Sequence, residues 1–380
     1  MNVAVARRVA SGIGAGLLVA LVGVLVLLVA RKGPTSEPWV AGRPLGVVPA
    51  RLVADQAQVR TLDPYRGLGT WADAFDVDPI YASGEPSVSP RDLVDMAGHG
   101  VRTLFLQASR WDRRATGLIQ DPWLMAGFLL AADQADVMVI GWYLPRWDEG
   151  DDDLKRLLAV DRFSVFGRRF DGLAVDIEWN RDDLGSIERS DRLVDLSDRL
   201  RRTVGADPLG AIVMPPVVTD VINPGFWPGF PWAELAPIYD VWLPMAYWSF
   251  RTGRNADPHT YTAENVIRVR LDLDDPGAMV HAVGGIGAAD GTALVDPGEP
   301  LADIEDLVLF VNALKDTETI GGSIYDWATM GDEARVRLGD LMASTDPSSG
   351  VDDADRSAKG VIADPGRGST ALVGGKMGRR

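Results

Sequence analysis

The stretch GLAVDIEWN, Gly172 to Asn180, places two carboxylates two residues apart inside an otherwise apolar run. Side chains on a β-strand alternate, so Gly172, Ala174, Asp176 and Glu178 share one face while Leu173, Val175 and Ile177 share the other. The apolar set is expected to pack under helices. That turns the two acids inward, roughly 7 Å apart along the strand. At that spacing in a partly dry site the two resist ionising together, so one keeps its proton and can act as a general acid.

Working outward, apolar runs recur near Arg66–Trp71, Val101–Ala108, Val137–Tyr143, Asp171–Glu178, Ala211–Met214, Val241–Tyr247, Ala278–Ile286 and Gly321–Trp327. Helical spacing fills most of the gaps. Leu193, Leu196, Leu200 and Val204 mark one face of a helix, Ser89-Pro90 reads as a helix start, and Leu301–Leu314 and Asp332–Met342 supply the last two. Eight strands, each followed by a helix, predict a (β/α)8 barrel over residues 61–343. A doubly wound open sheet is the alternative, but Gly67-Leu68-Gly69 lacks the rest of a phosphate-binding fingerprint. In a barrel the carboxyl ends of the strands carry the chemistry, and the acids of the fourth strand point there.

The ends of the chain read differently. Arg7 and Arg8 precede an uncharged run from Val9 to Ala30, closed by Arg31-Lys32. As a helix those residues span roughly 33 Å, enough to cross a bilayer. Residues 1–32 are therefore expected to form a membrane anchor, with a cleaved signal peptide as the alternative. The short basic amino terminus places the large domain outside the cytoplasm. Residues 33–60, with Pro34, Pro38, Pro44 and Pro49, read as a linker, and residues 344–380 as a disordered tail.

Composition narrows the function classes. With 38 Lys plus Arg against 54 Asp plus Glu, the formal charge of −16 argues against nucleic acid as a partner. The absence of cysteine excludes disulfides, thiolate catalysis and thiolate metal sites. His99, His259 and His281 are scattered, so neither a metal nor another cofactor is expected; His281, in strand seven, is a candidate substrate contact. The run Asp148–Asp153 reads as a solvated loop whose acids favour the start of the next helix.

Aromatics gather where the strands end. Trp111, Trp142, Tyr143, Trp147 and Trp179 all fall at or just after predicted strand ends, and Met245 shares a phase with Tyr247. Sugar rings stack on such side chains, while their hydroxyls need acids and amides nearby. Trp111, Trp142, Tyr143, Trp179, Met245 and Trp327 are thus candidate substrate-binding residues. A regular last strand would turn Asp326 away from the pocket.

These residues resemble a known family. Asp171-Gly172-Leu173-Ala174-Val175-Asp176-Ile177-Glu178 is similar to the D-G-x-D-x-D-x-E signature of glycoside hydrolase family 18, the chitinase-like barrels. Met245-Ala246-Tyr247 is similar to its M-x-Y, and Gly321-Gly322 with Trp327 to its final strand. The resemblance implies that Glu178 protonates the leaving oxygen. Asp176 and Tyr247 would hold the substrate's acetamido group, whose carbonyl oxygen attacks the sugar carbon, and Trp327 would floor the pocket. It implies a β-linked glycan as substrate and no cofactor. Three departures stand beside it: Ala174 replaces the middle Asp of the signature, Trp248 replaces the Asp after the tyrosine, and Ile140-Gly141-Trp142-Tyr143 replaces S-x-G-G in strand three. They support a second expectation, a catalytically silent barrel that binds carbohydrate or serves as a scaffold.

Overall fold

The computed structural model describes residues 59–82, 84–115, 117–180, 183–288 and 302–344. Its eight parallel strands are β1 (Gly67–Ala72), β2 (Thr103–Gln107), β3 (Met138–Tyr143), β4 (Gly172–Ile177), β5 (Leu209–Val213), β6 (Val241–Pro244), β7 (His281–Ala288) and β8 (Gly321–Met330). Each is followed by a helix: α1 (Asp92–Gly98), α2 (Pro122–Ala135), α3 (Asp152–Arg162), α4 (Ser186–Val204), α5 (Trp232–Leu235), α6 (Pro258–Asp272), α7 (Asp306–Asp316) and α8 (Asp332–Ala343). Neighbouring strands pair in order from β1 to β6, β1 also pairs β8, and β8 pairs β7. The bridges Trp242–Val280 and Met245–Val283 close the last seam, between β6 and β7. This is the (β/α)8 barrel expected from the strand count.

Local chemistry sets the elements. Asp121 caps α2 and Asp257 caps α6, each with proline in the first helical turn. Ahead of α1 the backbone N–H and hydroxyl of Ser89 both donate to Asp92. On α4, Leu193, Leu196 and Leu200 are buried as their spacing requires. At Gly321 a Cβ would overlap the His281 ring, and at Gly322 one would overlap Leu314, so this glycine pair lets β8 approach both layers.

The core has two layers. Leu173, Val175 and Ile177 of β4 pack with the helices in the outer one, while Ala174 joins Tyr65, Trp71, Phe105, Ile140, Trp142, Leu243 and Met245 inside the barrel. The two-residue alternation of β4 therefore sorts its side chains as predicted. The expected membrane helix (residues 1–32), almost all of the linker and the tail beyond Ser344 lie outside the described residues. Among the described residues no helix is long and apolar enough to cross a membrane.

Candidate active site

The acids of β4 lie at the carboxyl end of the barrel. Asp176 is the last inward residue of the strand, 5% exposed, and its Oδ1 has no hydrogen-bond partner among the described residues. Glu178 follows the strand and is half-buried. Burial pushes its carboxyl up to about 7. Burial, and then the charge of Glu178, hold the Asp176 carboxyl well above the usual carboxylate range. The pair thus retains a proton near neutrality, which is the condition for general acid catalysis. The segment after Glu178 is held from below: the indole N–H of Trp147 donates to the Trp179 carbonyl at 3.0 Å, and Arg189 donates to Asn180 Oδ1 at 2.6 Å.

Tyr247 and Met245 share the barrel interior, as their phase predicted. Burial comes first in keeping the Tyr247 hydroxyl protonated, followed by the charges of Glu178, Asp176, Asp326 and Asp73. This one phenol therefore feels carboxylates from both sides of the mouth. Its ring lies 5.8 Å from that of Tyr325, whose hydroxyl donates to Asp73 Oδ2 at 2.9 Å. Trp142 is also interior, edge-on to Trp71 at 6.1 Å, and its indole N–H lacks a partner among the described residues. Trp111 and Trp179 form a half-buried edge-on pair at 5.2 Å beside Glu178, with the Arg146 guanidinium 4.9 Å from the Trp111 ring.

Four expectations need correction. Trp327 is not the floor: it packs in the outer layer, 3.9 Å from the Arg335 guanidinium and 5.9 Å from the His99 ring. Up to Tyr325 the strand alternates regularly, Ser323 inside, Ile324 outside and Tyr325 inside; the register irregularity between Tyr325 and Met330 then breaks the alternation and turns Trp327 outward. For the same reason Asp326 is not turned away; its charge raises the Asp76, Tyr247 and Tyr325 groups around the mouth. Tyr143 points under α3, where its hydroxyl donates to buried Asp153 at 2.6 Å, and that bond also ties one end of the Asp148–Asp153 run into the core. His281 touches no site residue of β4 or β6. Its Nδ1 must donate to the Tyr65 carbonyl, so Nε2 accepts from Ser323, whose oxygen in turn accepts from the Trp71 indole at 2.8 Å. Burial lowers its pKa to about 4, so it is neutral and structural.

Trp71, Asp73 and Tyr325 are therefore mouth residues that sequence reasoning passed over. Trp71 carried a usable signal, because it shares the inward phase of β1 with Gly69. Asp73 continues that phase one step past its strand, as Glu178 does on β4, and Tyr325 shares the inward phase of Ser323. Trp248, which stands where the family has an acid, is buried outward and donates to Asp306 at 3.1 Å. A surface cavity of about 320 Å³ between α3 and α4, lined by Glu149, Glu188, Arg192 and Arg199 among others, is separate from this mouth. Among the described residues no three metal-ligating side chains converge.

The arrangement can protonate a leaving oxygen from Glu178 while Asp176 and Tyr247 meet polar groups of the departing sugar's neighbour. No family model matches the chain, and no curated protein matches it in sequence. Solved structures do. The C-terminal domain of a putative chitinase from Desulfitobacterium hafniense superimposes with a TM-score of 0.53 at 10% identity, covering 73% of this chain and 99% of that one. A mutant family 18 chitinase from Cycas revoluta, in complex with a tetramer of N-acetylglucosamine, gives 0.52 at 12% identity with the same coverage. A plant class V chitinase mutant from Cycas revoluta, in complex with the trimer, gives 0.50 at 11%, covering 72% and 99%. At these identities the likeness is one of fold: this chain has a (β/α)8 barrel like that of these chitinases.

Proposed function

We infer that the protein is a glycoside hydrolase acting on a β-linked glycan that contains N-acetylglucosamine. The observation that carries this reading is Glu178, held protonated up to about pH 7 by burial at the carboxyl end of β4, beside an Asp176 oxygen left without a partner. Glu178 gives its proton to the leaving oxygen as the glycosidic C–O bond breaks. The acetamido carbonyl oxygen of the substrate closes onto the sugar carbon, with its N–H facing Asp176 and its oxygen facing Tyr247. Water then opens the cyclic intermediate and returns a proton to Glu178. The fold shared with chitinases supports this class, and both chitin-like and cell-wall glycans suit it. The apolar run before Ala30 supports an anchored protein whose barrel lies outside the cytoplasm.

Ala174 favours one other reading, a silent barrel that only binds glycans, because no second carboxylate stands behind Asp176 on β4. Glu178→Gln separates the two. Release of product from N-acetylglucosamine oligomers or peptidoglycan fragments is expected in the parent, with a loss of about two orders of magnitude or more in the variant and binding retained. Binding without turnover in both proteins would establish the silent barrel.

A further inference from the structure

Arg189 breaks three rules of soluble proteins at once. It is 2% exposed, so a cation is buried. It lies in the first turn of α4, where the helix dipole disfavours positive charge. No carboxylate among the described residues pairs with it; its Nη1 donates to Asn180 Oδ1 at 2.6 Å and its Nη2 to the Phe226 carbonyl at 2.6 Å, while Nε has no partner. Burial brings the guanidinium down to about 10, so it remains charged at neutral pH. Burying a cation among neutral partners is costly, and an apolar residue on the same stem would be the more stable choice. Violations of this kind mark functional positions.

Its contacts show what that cost secures. The guanidinium carbon lies over the Trp227 ring, 3.7 Å from its centre, and 5.6 Å from the centre of the Phe226 ring. Trp227 is itself tied to α4, donating to Ser190 Oγ at 3.0 Å. Arg189 thus stands on a rigid aromatic base and reaches two loops, the one after β5 through Phe226 and the one after β4 through Asn180. Asn180 is exposed and follows Glu178 by two residues. With the Trp179 carbonyl already bound to Trp147, Arg189 closes the second hold on that segment.

We propose that Arg189 is a positioning residue for the catalytic acid: through Asn180 it keeps the Glu178 carboxyl in its dry place at the mouth. This rests on Glu178 being the acid, so the test includes a readout that needs no turnover. Full-length protein in detergent, carrying 13C-labelled glutamate carboxyls, is titrated with Glu178 assigned by its loss in Glu178→Gln. Arg189→Met keeps the stem on Trp227 and removes both bonds; Asn180→Ala removes the acceptor on the surface, where folding is not at risk. In both, Glu178 is expected to titrate at least one pH unit lower than in the parent, because the freed segment lets water in. With active parent enzyme, kcat is expected to fall at least tenfold with KM within about twofold. The double variant is expected to lose no more than either single one, since both act on one contact.

An unchanged Glu178 titration in folded Asn180→Ala and Arg189→Met overturns the proposal, whatever the turnover. A multiplicative loss in the double variant overturns it too. A lowered titration in the two variants, with a parent that cleaves no glycan, retains the positioning role and rejects the hydrolase.

Discussion

The two ends of β4 treat their acids in opposite ways. At its start, Asp171 Oδ2 accepts the Val139 N–H at 2.7 Å, and its own N–H returns to the Val139 carbonyl. Around it the amino end of the barrel holds a paired cluster: Arg60, 1% exposed at its side chain, meets the Asp161 carboxylate, Asp207 and the Phe170 carbonyl. At the other end of the same strand Asp176 has an oxygen without a hydrogen-bond partner, and half-buried Glu178 pairs with no cation among the described residues. A fold stabilises itself by pairing buried polar groups and does chemistry with those it leaves unpaired. The contrast between the two ends assigns stability to one and function to the other.

Substitutions can break that assignment. The largest effect is expected at the amino end. Arg60→Met takes from the Asp161 carboxylate its nearer cation, leaving Arg169 at 3.8 Å, and should cost about 3 kcal/mol of stability in denaturant unfolding, while folded molecules keep their turnover. A loss of specific activity in folded Arg60→Met would erase the distinction.

At the carboxyl end the sign reverses. Glu178 has a folded pKa raised from 4.5 to about 7, so the fold favours its protonated form. Stability is therefore greatest below the unfolded value and falls as pH rises through 4.5 toward 7. Glu178→Gln should remove that slope, being more stable than the parent by about 1–2 kcal/mol at pH 8 after allowance for partial exposure, and equal to it near pH 4. The same ionisation sets an alkaline limb near pH 7 in the parent's kcat/KM. A parent whose stability rises over this range would show that Glu178 has a cation the structure lacks.

The smallest effects test the corrected floor. Tyr325→Phe deletes the bond to Asp73 within the mouth and should lower kcat/KM about tenfold. Trp327→Phe, on the outer layer, should leave it within about twofold. Equal losses in the two would return Trp327 to the site.

How much was legible follows from range. The alternation of Leu173, Val175 and Ile177 with Ala174, Asp176 and Glu178 is written in the backbone geometry of any strand, so the inward acids and the barrel could be read from it. The same local rule placed Met245 with Tyr247. It failed at β8, where an irregularity after Tyr325 turns Trp327 out, and at Tyr143 it had to be read against its neighbour: with Trp142 inside, the alternation sends Tyr143 outward to Asp153. It could not find Arg189, which reaches Phe226 across 37 positions of chain.

By itself the sequence determined the strand and helix count, the face on which Asp176 and Glu178 stand, and the end of the barrel where they lie. Each depends on a period of two or of three to four residues, set by local backbone geometry. Only the tertiary structure decided which of these acids stays dry, which aromatics share the mouth and which cation holds the acid in place. Those depend on what other strands and loops bring within a few ångströms, and on how little water they admit.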